Sequence, residues 1–229
     1  MRIIVFGANG GLGQRVWKAA VDAGHEVVAF VRSPQKLDAT DPRFGDLTVV
    51  AGNVLDSGAV QGAAAGARAA INCTSPASGD ATLDLATSAV TSAAAAGVER
   101  FYMVGGIGAL WAPGTHRQVL LQDWDDEPAM RAFGLNPGMP RERIRDMTKG
   151  HLASMAFMQS TGHPHAFACP GAMYDGPATS GRTVSLDELA SPAAMRVSLG
   201  DVAQVMVDDL ERGELLGHRV SVCSGPTEA

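Results

Sequence analysis

A short apolar strand, Arg2-Ile3-Ile4-Val5-Phe6, runs directly into Gly7-Ala8-Asn9-Gly10-Gly11-Leu12-Gly13, and this junction constrains the fold more than any other feature of the chain. A glycine loop between a buried strand and a helix serves three purposes. Gly7 permits the tight turn, Gly10 lets the backbone approach a pyrophosphate, and Gly13 lets the following helix press against the sheet. The helix N-terminus adds unpaired amides and the positive end of a dipole. Gly7, Asn9, Gly10, Gly11, Leu12 and Gly13 are therefore the predicted contacts to a dinucleotide.

The rest of the chain repeats the same alternation. Strands are predicted at residues 2–6, 26–31, 47–51, 68–73, 100–104, 165–169 and 219–223, each a short run rich in apolar and β-branched residues. Helical runs fall between them, at residues 11–23, 56–65, 80–96, 141–161 and 201–211, with Asp56 and Asp201 as N-caps. Gly24 and Gly97 close the first and third helices as left-handed caps. Alternating β and α elements predict an α/β protein of the Rossmann type, a doubly wound, mainly parallel sheet with helices on both faces. The rhythm breaks once, in a stretch rich in Pro and Gly that carries Trp111, Trp124 and the acidic run Asp123 to Glu127. The chain reads as one domain, 1–229, with a substrate-side insertion around residues 105–145.

Composition narrows the function. The formal charge is −6 and no basic block occurs, which argues against a nucleic acid or an anionic membrane as partner. No apolar stretch reaches the ~18 residues that span a bilayer. Cys73, Cys169 and Cys223 are far apart and lie in apolar runs, so they read as core residues of a reducing, cytoplasmic protein. His163-Pro164-His165 lacks a third ligand nearby, and no metal site is predicted. A small-molecule substrate is the remaining partner, with the protein a monomer or small homo-oligomer.

Three further segments should meet the dinucleotide. Where NAD-preferring sheets carry an acidic residue roughly 20 positions past the glycine loop, this chain has Arg32, and an arginine there accommodates a 2′-phosphate. Arg32 thus points to NADP(H), its other reading being a solvated loop charge. Asn53 and Val54, just past the third strand, fall where adenine is contacted, and Cys73 and Thr74 where the second ribose lies. Pro170 and Gly171 follow the sixth strand, either as backbone contacts to the nicotinamide carboxamide or as an ordinary strand exit.

With these pieces in place, the chain resembles the atypical short-chain dehydrogenase/reductases, in particular the NAD(P)H-binding, NmrA-like group that includes NADH–flavin reductase-like proteins and biliverdin reductase B. The resemblance rests on Gly7 to Gly13, Val31 to Leu37, Gly52 to Asp56, Gly150-His151-Leu152, Cys169 to Met173, and Val197 to Ala203. It leaves residues 108–145 without support. It implies a hydride-transferring reductase, but a typical member also carries Tyr-x-x-x-Lys, in which the lysine lowers the tyrosine pKa for proton transfer. Here Gly106 and Ala178 stand four residues after Tyr102 and Tyr174, and Gly105-Gly106 replaces the serine that usually follows strand five.

His151 matches a histidine common in the flavin-reductase-like group. It would donate a proton or hydrogen-bond a substrate carbonyl at the nicotinamide, or else it is a surface or capping residue. Trp111 and Trp124 either roof a flat substrate or anchor the insertion. Three readings follow: an NADPH-dependent reductase of a planar acceptor such as a flavin, quinone or conjugated carbonyl; a redox sensor that binds NADP(H) without turnover; and a ketoreductase or isomerase with His151 as private proton donor.

Overall fold

The computed structural model describes residues 1–74, 79–111, 114, 141–190 and 196–225. Its frame is set by runs that are apolar on both sides. In β1 (Arg2–Phe6) Ile3, Ile4, Val5 and Phe6 are all buried, as are Val27 to Val31 of β2 (Glu26–Val31). A strand without polar alternation has to be covered on both faces, the condition of a parallel sheet inside an α/β fold. The further strands are β3 (Leu47–Ala51), β4 (Ala69–Asn72), β5 (Arg100–Val104), β6 (His165–Ala168), β7 (Ala172–Tyr174), β8 (Thr183–Leu186), β9 (Arg196–Ser198) and β10 (Arg219–Cys223).

Eight strands form one sheet in the order β3-β2-β1-β4-β5-β6-β10-β8, and β7 pairs with β9 in a separate ribbon. Every pairing in the main sheet is parallel except β10 with β8. Helices α1 (Gly11–Asp22) and α5 (Leu199–Asp208) pack together on one face; α2 (Ser57–Ala64), α3 (Gly79–Ala95) and α4 (Arg141–Thr161) cover the other. The two cores divide by strand parity: Ile4, Phe6, Phe30, Phe101 and Phe167 face α2, α3 and α4, while Ile3, Val5, Ile71 and Tyr102 face α1 and α5. Trp17 of α1 is fully buried against that second core, and its removal would cost about 3–5 kcal/mol. The doubly wound Rossmann-type reading is therefore correct.

Several details differ from the sequence-based expectation. The cap of α5 is Ser198, whose Oγ accepts from the Asp201 amide at 2.9 Å, so Asp201 lies inside the first turn and is not the cap. Both residues favour helix starts, and the preceding strand β9 ends at Ser198, which places the first one there. Asp56 does cap α2, accepting from the Ala59 amide at 3.0 Å. Gly24 and Gly97 adopt φ of +79° and +94°. Cys73 and Cys169 stand one residue beyond their strands, and Cys223 is only half-buried. The short strands β7, β8 and β9 were not foreseen. Most of the insertion, including Trp124 and the acidic run, lies outside the described residues.

Candidate functional site

The sheet reverses its winding between β1 and β4, and the crevice beyond their carboxyl ends is where such folds hold ligands. The glycine loop fills one wall of it. Gly7 has φ +73° and donates its amide to the Phe30 carbonyl at 3.2 Å. A Cβ on Gly7 would lie 2.8 Å from the Cys73 carbonyl oxygen, and one on Gly13 only 2.2 Å from the Gly7 carbonyl oxygen. Those two glycines are demanded by the chain itself. Gly10 is different: its backbone is extended, and an added Cβ would come no closer than 3.4 Å to any other group. No other group of the described chain crowds that position. Gly10 caps α1 without any side-chain acceptor, and no acidic residue stands in the first turn. The amides of Gly11, Leu12 and Gly13 therefore have no side-chain acceptor among the described residues.

Asn9 donates through Nδ2 to the Ser33 carbonyl at 3.2 Å, binding the glycine loop to the segment after β2. The neighbouring Arg32 is exposed and makes no hydrogen bond or ion pair among the described residues. The nearby carboxylates of that segment are engaged elsewhere. Asp38 and Asp41 each lie 2.9 Å from Lys18 Nζ, and Asp41 also pairs with Arg43 at 2.7 Å. The Arg43 guanidinium holds the Asp41 carboxyl well below the usual carboxylate range. Arg32 is consequently a positive charge without a counterion among the described residues.

Asn53 turns the chain after β3, its Oδ1 accepting from the Leu55 amide at 3.2 Å. Val54 is buried, and its carbonyl accepts from Ser88 Oγ at 2.6 Å. Leu55, 55% exposed, offers an apolar side chain on the same rim, which sequence reasoning passed over. Its signal was present: a leucine in a polar turn. Beyond β4, Asn72 is buried, and its Oδ1 accepts from both the amide and the hydroxyl of Thr74, at 3.1 and 2.7 Å. The Cys73 amide donates to the Phe6 carbonyl at 2.9 Å, and burial pushes its thiol up to about 12. Cys73 is a neutral wall residue, not a nucleophile.

Across the crevice, the exits of β5 and β6 are stitched together. Gly105 donates to the Ala168 carbonyl at 2.7 Å and Ile107 to the buried Pro170 carbonyl at 3.0 Å, while Gly171 opens the path into β7. A Cβ on Gly106 would lie 2.8 Å from Nδ1 of His151. The place after β5 where a serine is missing is therefore glycine because an imidazole from α4 lies against it. His151 has no hydrogen-bond partner among the described residues, and burial pushes its pKa down to about 4. It is neutral near pH 7.

The two tyrosines are occupied elsewhere. Tyr102 is buried among the α1 and α5 contacts, its hydroxyl donating to Asp209 at 2.9 Å, and burial pushes its pKa far up. The Tyr174 ring faces the Arg196 guanidinium at 5.4 Å. Trp111 pairs with Glu188 as an isolated bridge and lies under the Arg219 guanidinium at 4.5 Å. It anchors the root of the insertion and does not roof the crevice. His163 packs on Phe101, and among the described residues no group of three His, Cys, Asp or Glu could hold a metal ion. No helix among them is long and apolar enough to cross a membrane.

A switch-point crevice, a glycine turn and an uncapped helix start define a nicotinamide-dinucleotide-binding protein of the Rossmann class. The chain matches the sequence profile of the NAD(P)H-binding family over residues 7–212, and it belongs to that family. Solved structures share the fold along nearly the whole length. A candidate epimerase from Bacteroides thetaiotaomicron is 23% identical with a TM-score of 0.78, covering 100% of this chain and 99% of its own. A candidate NADH-flavin reductase from Streptococcus pneumoniae is 22% identical with a TM-score of 0.75, covering 98% and 100%. ChuY, an anaerobillin reductase from Escherichia coli O157:H7, is 22% identical with a TM-score of 0.71 and full coverage of both chains.

Proposed function

We propose that the protein is an NADPH-dependent reductase that delivers a hydride to a planar small molecule such as a flavin, a quinone or a conjugated carbonyl. The observation that carries this reading is the neutral imidazole of His151, without a hydrogen-bond partner among the described residues, lying on Gly106 at the open end of the sheet. The crevice fits the cofactor: Gly10 leaves room on its ligand side, and the first amides of α1 lack a capping side chain. The Gly7–Gly13 turn would hold the pyrophosphate and Arg32 the 2′-phosphate. Asn53, Val54 and the apolar face of Leu55 would border the adenine, Cys73 and Thr74 the second ribose, and Pro170 and Gly171 the carboxamide. When bound, the nicotinamide supplies the hydride.

His151 would hydrogen-bond the acceptor and orient it over that ring. With a pKa near 4 the imidazole is already deprotonated at neutral pH and has no acidic proton to give, so the proton would come from water. Quinones and flavins accept that arrangement, whereas a simple ketone needs a stronger donor, which weighs against a ketoreductase. The same scarcity of acids favours a second reading, a sensor that binds NADP(H) without turnover. Oxidation of NADPH and of NADH by the purified protein, with FMN and a small quinone as acceptors, separates the two. Consumption above the blank, faster with NADPH, is the result expected of the reductase. Tight NADPH binding with no consumption of any acceptor would transfer the assignment to the sensor.

A further inference from the structure

The chain leaves the main sheet at the end of β6 and rejoins the body of the domain at β9 and α5, and the stretch between forms the far rim of the crevice. β7 belongs to the ribbon with β9 and not to the main sheet, and Met173 at its centre is 43% exposed. Both ends of the stretch are fastened to main chain. At one end the Ile107 amide donates to the Pro170 carbonyl at 3.0 Å. At the other the Gly200 amide donates to the Gly176 carbonyl at 3.1 Å, and a Cβ on Gly200 would lie 2.2 Å from the Ala178 amide nitrogen. These partners belong to the β5 exit and to α5, none to α1.

The tie to α1 runs through Asp175, whose Oδ1 accepts from Arg15 Nη2 at 2.6 Å, an ion pair between residues 160 positions apart. Among the described residues no other side-chain hydrogen bond or ion pair joins residues 169–176 to α1. Arg15 stands two residues past Gly13 and one helical turn beyond Gly11, which abuts Leu199 of α5. The pair therefore links the helix that carries the glycine-loop wall to the segment that continues from Pro170 and Gly171. The Asp175 side chain is 79% exposed and that of Arg15 38%. Water solvates such charges nearly as well apart as together, so the pair adds little to the stability of the fold. A weak tie between two walls still acts on the rate at which they part, because it has to open before they separate.

We propose that the Arg15–Asp175 pair is a clasp that holds the β6–β7 exit against α1 and slows release of the dinucleotide. The inference rests on the reading of the crevice as the NADP(H) site. Arg15 and Asp175 are positioning residues, acting on the cofactor through the segment that carries Pro170 and Gly171.

Release is measured by mixing the NADPH-loaded full-length protein with excess NADP⁺ and following the loss of bound-NADPH fluorescence in a stopped flow. Arg15→Gln and Asp175→Asn should each release NADPH about threefold faster than the parent, the scale of an exposed ion pair. The double variant should be no faster than either single one, and the urea midpoints of all four apo proteins should coincide. Singles that release at the parent rate, or whose effects multiply in the double variant, would overturn the clasp. So would slower release from Asp175→Asn, or a lowered urea midpoint with release unchanged. A parent that fails to bind NADPH would instead overturn the reading of the crevice, and the clasp with it.

Discussion

Two helix starts that nearly touch meet the same physical problem in opposite ways. Every helix begins with amides that have no partner inside it. At α5 the chain answers from within. Ser198 Oγ takes the Asp201 amide, and the fully buried Asp201 carboxylate accepts from the Thr179 amide at 2.6 Å, the Thr179 hydroxyl and the Ser198 hydroxyl. At α1, whose Gly11 abuts Leu199 of α5, the cap is a bare glycine with no acceptor and no nearby acid. One start is closed by side chains and fastens the β7–β8 segment to the domain. The other has no side-chain acceptor among the described residues.

That contrast can be broken at either end. The largest effect should follow from Asp201→Ala, which strands the Thr179 amide and two hydroxyls in a dry site. A loss of about 3–5 kcal/mol in urea unfolding is expected, and a loss below about 1 kcal/mol would mean the closed start is not structural. Gly10→Asp transplants the α5 solution onto α1. The carboxylate should cap the helix and stabilise the apo protein by about 0.5–1 kcal/mol. It should also weaken NADPH binding by about 3 kcal/mol, because an acid then sits where the pyrophosphate belongs. If affinity survives, the open amides are not the anion site. Arg32→Asp tests the neighbouring free charge: NADPH affinity should fall by about 2–3 kcal/mol and NADH affinity much less. Equal binding of both cofactors by the parent would remove the case for NADP(H).

The smallest effect concerns His151 on the open side. The unfolded chain takes up a proton below about 6.5, whereas burial delays uptake in the folded protein until about 4. His151 therefore favours the folded state above pH 6.5 and costs stability as pH falls toward 4. Between pH 7 and pH 5 this amounts to about 1–2 kcal/mol, after allowing for partial solvent screening. His151→Phe should lack that share of the slope, as read from urea curves at the two pH values.

The open start was the more legible of the two. Gly7, Gly10 and Gly13 declare it in consecutive triplets, and the β1, β2, β3, β5 and β10 boundaries fall where the apolar runs begin and end. These features are local, so local pattern suffices. The closed start depends on contacts between distant segments: Thr179 meets Asp201 across 22 residues, and Tyr102 meets Asp209 across 107. No periodicity announces such pairs, which is why Asp201 was mistaken for a cap and Tyr102 could be excluded from catalysis only by its missing lysine. The ribbon of β7 and β9 is three residues per strand, too short to show alternation. His151 was visible as a residue, but its reason for facing Gly106 was not, since a glycine after a strand reads equally well as a turn.

The turn after β1 separates two kinds of selection within a few codons. A side chain at Gly7 or Gly13 collides with main chain and would be purged in any lineage that needs the fold. A side chain at Gly10 would come no closer than 3.4 Å to the protein's own described atoms, so on the reading proposed above only lineages that need the ligand would purge it. A descendant that kept this scaffold after abandoning its coenzyme, for a purely architectural or regulatory life, could do so through a single substitution that also firms up the helix. Substituents at Gly10, set against glycines retained at Gly7 and Gly13, would be the mark of such a descendant.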